Sequence, residues 1–391
     1  MTNLLGKLPA LSEPDAPSPE PSAVHTTREI AQQPALWRDI ALQTVRAGGE
    51  VDAFLSPLLA RPDLRLVLTG AGTSAFVGQV LAPVLSPQLA RRVEAIATTD
   101  IVASPRGSFP ADVPTLLVSF ARSGDSPESV AATEIAELYL TEVHHLVVTC
   151  NAGGLLARRH LGAHRSQVLL LPPVANDQGF AMTSSFTGMT LATLLAFSDP
   201  QDTDMVELLA QAAEDLLAGR EADVRKLAAR DHERIVYLGS GALKGLARES
   251  ALKVLELTAG GVAAFSDTPL GFRHGPKAIL NDRTLVVVYL SNDPHTRLYD
   301  LDLLAELRAT QGDDNVLAIT AAKGDTPGDD NIWELPGLGH LNDAALALPA
   351  AVFAQQFGLH ASLRGGHTPD NPFPAGQVNR VVQGVTLHLP H

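Results

Sequence analysis

Short, continuously apolar runs alternate along this chain with longer stretches in which apolar residues recur at helical spacing. Arg65-Leu-Val-Leu-Thr69 is one such run, and it feeds the glycine turn Gly70-Ala-Gly72 and then a helical pattern. Thr115-Leu-Leu-Val-Ser119 and Leu146-Val-Val-Thr149 are two more. Runs this short and this apolar read as strands buried on both faces. Their alternation with helices predicts a parallel sheet covered on both sides. The pattern then recurs: Arg234-Ile-Val-Tyr-Leu238 leads into Gly239-Ser-Gly241, and Thr284-Leu-Val-Val-Val288 and Leu317-Ala-Ile-Thr320 follow. Gly239 lies 169 residues beyond Gly70, and Thr284 lies 169 beyond Thr115. One long, fixed offset means two copies of one fold. The predicted class is α/β, with two doubly wound parallel-sheet domains from an internal duplication.

The ends and joints are legible from composition. Pro9, Pro14, Pro17, Pro19 and Pro21 stand among Ser, Glu and Asp, so residues 1–25 read as a Pro-rich tail without helix or strand. Thr26-x-x-Glu29 predicts a capping box at the first helix, and Pro34 breaks that helix and opens the next, through Trp37 and Ile40. The first domain with its leading helices is expected over 26–204. A linker helix, the second domain and a C-terminal tail are expected over 205–391. Asp199-Pro-Gln-Asp-Thr-Asp204 reads as the turn between them, and Met205 to Ala229 as the helical lead-in. The uncharged run Gly179 to Ser198 carries too many hydroxyls for a membrane span and predicts a helix buried between protein layers.

Composition narrows the function. The 391 residues include 29 basic and 43 acidic side chains, a net charge of −14 with pI near 5.3. That balance argues against nucleic acid as a partner. With 45% hydrophobic residues, global disorder is excluded. Cys150 is the single cysteine, so no internal disulfide forms, and such scarcity fits a cytoplasmic protein. Leu4 and Leu5 run straight into Gly6 and Lys7, which is no signal-peptide core, and nothing points to a membrane.

Ligands of doubly wound sheets bind where the strands end and their connections diverge. Two loops of the first copy fall there. Gly70-Ala-Gly72-Thr73-Ser74 offers close backbone approach, a helix N-terminus and two hydroxyls. Ser119 to Glu128 adds Ser123, Gly124 and Ser126 at a second helix start, with Pro127 in its first turn and Arg122 as a fixed positive charge. Two donor-rich helix starts suit a phosphate. A nicotinamide-dinucleotide reading of Gly70-x-Gly72-x-x-Ala75 competes less well, because Asp100 lies about 30 residues on, where that fingerprint wants about 20. In the second copy Glu249, Lys253 and Glu256 share one helical face at i, i+4 and i+7, among apolar neighbours that leave little room for a solvated stripe. His274 follows in a loop held by Gly275 and Pro276, and completes a set of groups fit for acid–base work.

Other candidates are weaker. His160 and His164, four apart on an expected helix, lack a third ligand at suitable spacing. His144-His145 are expected in the loop before a strand, and Cys150 as a buried structural thiol. His367-Thr-Pro-Asp-Asn-Pro372 reads as a rigid turn, and the segment after it, through Asn379 and Arg380, as a tail that covers the site.

At these residues the chain resembles the sugar isomerase (SIS) domain family, in tandem, over roughly residues 28 to 389. Glu29-Ile-Ala-Gln-Gln-Pro34, Gly70-x-Gly-Thr-Ser74, Arg122-Ser-Gly-x-Ser126, Ala251-Leu-Lys-x-x-Glu256 and His274-Gly-Pro276 carry the resemblance, in order. Phe180 to Thr187, Pro269 to Pro276 and Val378 to Gly384 look like the subgroup of tagatose-6-phosphate ketose/aldose isomerases and galactosamine-6-phosphate deaminases. The resemblance implies a sugar-phosphate substrate with Gly72, Thr73, Ser74, Arg122, Ser123 and Ser126 at its phosphate. It implies Glu256 as the base moving a proton between C1 and C2, with Lys253 beside it. His274 would open the sugar ring, reaching in from a neighbouring subunit of a homodimer or larger homo-oligomer. No metal or organic cofactor is implied. Ala121, Gly271 and Gln383 depart from the related glucosamine-6-phosphate synthase, which speaks against that activity. A sugar-phosphate sensor built on the same domains is the competing reading, and it has no need of Glu256, Lys253 and His274.

Overall fold

The computed structural model describes residues 20–198, 203–324, 331–382 and 384–388. Positions 1–19 of the expected tail, 199–202 of the expected turn, and Gln383 lie outside the described residues. Two five-stranded sheets carry the chain. The first holds β1 (Arg65–Thr69), β2 (Val93–Ala95), β3 (Thr115–Ala121), β4 (Val143–Thr149) and β5 (Ser166–Leu170), in the order β2-β1-β3-β4-β5. The second holds β6 (Arg234–Leu238), β7 (Ala263–Asp267), β8 (Thr284–Tyr289), β9 (Val316–Thr320) and β10 (Ile332–Glu334). Its order is β7-β6-β8-β9-β10, the same arrangement over again. Every pairing is parallel. The copies match in register too, with Arg65 opposite Thr115 in one and Arg234 opposite Thr284 in the other. Every residue of β3 and of β8 is buried, which is why these strands read as unbroken apolar runs rather than as alternation.

The helices that matter for function are α1 (Val24–Ala31), α2 (Gln33–Leu59), α3 (Thr73–Gln88), α4 (Pro127–Tyr139), α5 (Ser184–Phe197), α6 (Ala242–Leu257), α7 (Pro294–Gln311) and α8 (Asp343–Arg364). The halves share a core in which Leu66, Leu68 and Val118 of the first sheet join Ile235, Tyr237 and Leu285 of the second. They meet where α3 packs on α6. Gly245 permits this contact, since a Cβ there would stand 2.7 Å from the backbone nitrogen of Val80. Equivalent positions of the two copies touch: Arg248 donates to Gln79 at 3.0 Å, and these residues are 169 apart. Arg38 and Glu207, also 169 apart, form an ion pair at 2.7 Å. Such self-pairing places both contacts beside the local two-fold axis that relates the copies.

The expected buried helix is α5, of whose 14 residues all but Leu195 and Ala196 are buried. Helix α8 is long and apolar enough to cross a membrane, yet 89% of its apolar window is buried inside the protein, so the fold consumes that surface.

Three local expectations are corrected. Helix α1 begins at Val24, two residues before Thr26, and its end is capped from far away. Asp370 accepts the N–H groups of His25 and Thr26 at 2.9 and 2.7 Å and the Thr26 hydroxyl at 2.7 Å. Glu29 does not reach back; it accepts the N–H groups of Gln178 and Gly179. His144 and His145 lie inside β4 rather than in the loop before it. The helix carrying His160 ends there, and exposed His164 lies beyond it, so no i, i+4 histidine pair forms. Pro34, by contrast, occupies the first turn of α2 as expected.

Candidate active site

The strand order reverses direction between β1 and β3, and the two donor-rich loops flank that switch point. After β1 the chain turns so tightly that a Cβ on Gly70 would sit 2.5 Å from the carbonyl carbon of Ser74. Gly72 then takes φ +56° as the N-cap of α3, a conformation that favours glycine. The hydroxyls of Thr73 and Ser74, both buried, follow in the first helical turn, where N–H groups have no partner within the helix. After β3, Gly124 at φ +73° bends the loop of Arg122, Ser123 and Ser126 into α4. This loop is braced from the next one: Asn151 donates to the Ser123 carbonyl at 2.9 Å, and Leu155 N–H to Asp125 at 2.9 Å. The Ser126 hydroxyl donates to Glu128 at 2.8 Å, and the Ser123 hydroxyl accepts from Asp125 N–H at 3.3 Å.

The rear half enters this crevice through α6, which runs from the end of β6 back across α3. Near its C-terminus Lys253 Nζ donates to Thr73 Oγ1 at 3.0 Å and to Glu256 Oε2 at 2.5 Å, and lies 3.4 Å from Glu249 Oε1. One amine thus ties the phosphate-type loop of the first half to the carboxylates of the second. Lys253 and Glu249 side chains are 0% and 2% exposed, whereas Glu256 is 24% exposed. Burial raises the Glu249 carboxyl to about 7, opposed by the attraction of Lys253. Burial alone would lower the Lys253 ammonium, but Glu249 and Glu256 more than offset it and hold it above the usual lysine value. The stripe seen in the sequence is therefore a buried acid–amine–acid row.

Arg122 is placed differently from a simple phosphate ligand. Its buried guanidinium donates to the carbonyls of Phe180 at 3.1 Å, Gly179 at 3.4 Å and Arg380 at 2.9 Å. Burial, with neighbouring Arg380, lowers it to about 10, so it stays charged at neutral pH. Arg380 in turn donates to the carbonyls of Gly179, at 3.1 Å, and Asp177. The C-terminal segment is thereby fastened to the phosphate-type loop. Sequence reasoning expected a covering tail through Arg380 but found neither these carbonyl contacts nor Asp177, whose buried carboxylate accepts the N–H groups of Thr183, Ser184 and Ser185 and pins the start of α5. That turn delivers Met182, whose sulfur lies 3.9 Å from the Ser74 hydroxyl.

His274 stands apart. It is exposed on the turn after the short helix Pro269–Phe272, beyond the carboxyl end of β7. Because Leu238 pairs with Asp267, that end lies beside the start of α6. Glu256 is fourteen residues further along α6, a rise of about 21 Å. One chain does not bring His274 and Glu256 together. Gly271, before it, is tightly enclosed: a Cβ would stand 2.8 Å from both Asp267 Oδ1 and Thr268 Oγ1, so a glutamate there needs these groups to move.

Cys150 is buried, and desolvation pushes its thiol well above the ordinary cysteine value, which fits an inert structural role. His160 packs against His145 with ring centres 4.5 Å apart and planes tilted by 44°, and its Nδ1 pairs with the Ser166 hydroxyl at 3.0 Å. Among the described residues no group of three or more His, Cys, Asp or Glu is placed to hold a metal ion.

The SIS domain family model matches residues 229–331, the core of the second half. A Streptomyces coelicolor relative, provisionally named D-galactosamine-6-phosphate deaminase AgaS, is 60% identical over 94% of this chain and 96% of its own. The D-galactosamine-6-phosphate deaminase AgaS of Shewanella sp. strain ANA-3 is 43% identical over 94% of this chain and 92% of its own. The crystal structure of tagatose-6-phosphate ketose/aldose isomerase from Escherichia coli superimposes with a TM-score of 0.87 at 42% identity. It covers 95% of this chain and 98% of that one.

Proposed function

The chain belongs to the SIS-domain family of D-galactosamine-6-phosphate deaminases AgaS, and from that premise we propose that it converts an amino-sugar 6-phosphate to a ketose 6-phosphate and ammonia. Galactosamine 6-phosphate, giving tagatose 6-phosphate, is the substrate these relatives' names point to. The observation that carries the reading is the Lys253 amine, which joins Thr73 of the front loop to Glu256 of the rear helix in one crevice. Phosphate is held by the hydroxyls of Thr73, Ser74, Ser123 and Ser126 and by the helix starts at Gly72 and Ser126, with Arg122 as a nearby fixed charge.

The chemistry follows from the substrate. Once the ring is open, C1 is an aldehyde and C2 carries the amine and an acidic hydrogen. The Glu256 carboxylate removes that proton while O1 takes one up, leaving an enolamine across C1 and C2, and returns it at C1 as the nitrogen gives one up. C2 is now a ketimine. Water adds there, ammonia leaves, and the balance is hexosamine phosphate plus water to ketose phosphate plus ammonia. Lys253, donating to Glu256 Oε2 at 2.5 Å, holds that carboxylate in place between steps. His274 opens the ring from a second subunit, because its own chain keeps it about 21 Å of helix away from Glu256. The protein accordingly works as a homodimer or larger homo-oligomer. A pure sensor would leave a fully buried lysine between two acids without a task, and burying such charges costs several kcal/mol per ion. A nicotinamide role fits poorly, since the strand order is of the 2-1-3-4-5 kind rather than the dinucleotide order, and Asp100 is exposed on the helix Thr98–Ala103.

The test incubates the pure protein with galactosamine 6-phosphate, glucosamine 6-phosphate and tagatose 6-phosphate, following ammonia and ketose separately. Equal amounts of ammonia and ketose from a hexosamine phosphate are expected. Ketose–aldose exchange without any ammonia from either amino sugar would place the chain with the simple isomerases.

A further inference from the structure

The duplication that builds the front crevice builds a second one in the rear half. Its walls are the loops after β6 and β8, which are the copies of the loops after β1 and β3. A cavity of about 610 Å³ lies there, with Gly241, Asn292, Asp293 and Asp343 on one side and Val84 and Pro87, from the C-terminal turns of α3, on the other. By the same offset of 169, Gly241 is the copy of Gly72, and the two share a backbone conformation, φ +54° against φ +56°. Val84 and Pro87 are the copies of Lys253 and Glu256. The volume is that of an ordinary small-molecule site.

The chemistry of this twin has been rebuilt. Thr73 and Ser74 are replaced by Ala242 and Leu243, so the hydroxyls are gone. The loop after β8 reaches its helix two residues sooner, and the N-cap is Asp293 where the front half has Ser126. The Asp293 carboxylate accepts Thr296 N–H at 2.7 Å and so fills the place of an anion at the start of α7. Asp343 accepts the Asn292 N–H at 2.7 Å and the Ser291 hydroxyl at 2.5 Å, and Asp300 accepts Ser291 N–H at 3.0 Å and the Ser240 hydroxyl at 2.7 Å. Asp293 and Asp343 line the cavity together with exposed His340, while Asp300 is buried behind them; Arg297, whose guanidinium donates to Thr320 and to the Ser291 and Ala322 carbonyls, lies within electrostatic reach of Asp300 and Asp343. On the opposite wall Pro87 has no N–H to offer the carbonyl of Pro83. Two carboxylates, Asp293 and Asp343, therefore line this cavity where the loops of its twin offer the hydroxyls of Thr73, Ser74, Ser123 and Ser126.

We infer that the rear crevice is a second ligand site, one that rejects phosphate and takes a phosphate-free amine cation of about hexosamine size. It has lost the base and the lysine and so binds without reaction.

The test titrates D-galactosamine, D-galactose and inorganic phosphate into the full-length protein by calorimetry. D-Galactosamine is expected to bind, with D-galactose about ten-fold weaker or more for want of the charged donor. Phosphate should not compete with either. Asp293→Asn keeps the helix cap, since asparagine caps as well as aspartate. It should weaken galactosamine at least ten-fold, as should Val84→Lys, which returns a cation to the cavity. Ser123→Ala with Ser126→Ala should leave the binding unchanged. Galactosamine binding that ignores Asp293→Asn but follows the two serines belongs to the front crevice and overturns the inference. So does equal affinity for galactose, and so does absence of binding at millimolar concentration. None of these results bears on ammonia release from the phosphorylated sugar, so this inference and the proposed activity fail independently.

Discussion

Replacing Lys253 by methionine tests the central arrangement more severely than any active-site assay. Methionine matches the length and apolar stem of lysine, so the change removes charge with little change of packing. In the native protein the ammonium is fully buried, 2.5 Å from Glu256 and 3.4 Å from Glu249. Without it two carboxylates face each other, one of them fully buried. Breaking a buried pair in this way costs roughly 3–5 kcal/mol. Glu256 is 24% exposed and recovers some hydration, which favours the lower end. At about 2 °C per kcal/mol, the expected fall in melting temperature is about 6–10 °C at pH 8.

The sign of the pH dependence is fixed by Glu249. Its carboxyl already titrates at about 7, above the ordinary 4.5, with the lysine present, and losing the lysine moves it further up. A raised folded-state value means that the native protein holds a proton that the unfolded chain has released. Stability therefore falls as pH rises from about 4.5 through 7 and above. The deficit of Lys253→Met should accordingly be small at pH 5 and full at pH 8, read by thermal melts at both. A variant that melts within 2 °C of the native protein at pH 8 would refute the buried acid–amine–acid row. So would a deficit that is equal at the two pH values.

Glu256→Gln leaves Lys253 with Glu249 and Thr73 and should fold normally, while turnover of the phosphorylated substrate falls about 10²–10⁴-fold. Its KM should stay within a few-fold, and unchanged kcat would remove Glu256 from the chemistry. Ser123→Ala combined with Ser126→Ala should raise KM for phosphorylated sugars by about ten-fold or more, since each lost hydrogen bond to a charged group is worth roughly 1.5–3 kcal/mol. An unaltered KM would move the phosphate elsewhere. His274→Asn and Glu256→Gln, each inactive alone, should regain activity when unfolded and refolded together, because mixed assemblies pair an intact histidine with an intact glutamate. No recovery in assemblies shown to be mixed would mean that the site is not shared.

Much of this could be read from the chain because the strands are buried on both faces. Continuous apolar runs with glycine turns leave a mark that repeats 169 residues later, and the structure repeats it in register. Lys253 and Glu256 were legible because charges on an otherwise apolar helix need partners. What escaped has physical reasons. Helix α8 is apolar on every side, so it has no helical period to detect, and Pro349 within it reads as a break. The capping box at Thr26 failed because Asp370, 344 residues away, supplies a better acceptor than Glu29 does. The partners of Arg122 escaped because they are main-chain carbonyls at Phe180 and Arg380, and carbonyls have no sequence signature.

The two copies also explain why Lys253 and Glu256 sit on a crossing helix rather than on the loops after β1 and β3. Gln79 and Arg248, equivalent residues, touch, so α3 and α6 cross beside the local two-fold axis. Whatever α6 carries into the front crevice near its end, α3 must carry into the rear one. A duplication therefore begins with two equal crevices, each gripping with its own loops and furnished by the other half. Any mutation on one helix then alters a single crevice. Lysine and glutamate on α6, with valine and proline at the same places on α3, separate the two without disturbing either sheet. The front crevice is consequently made of both halves: Thr73 belongs to one copy of the fold, and Lys253 and Glu256 to the other.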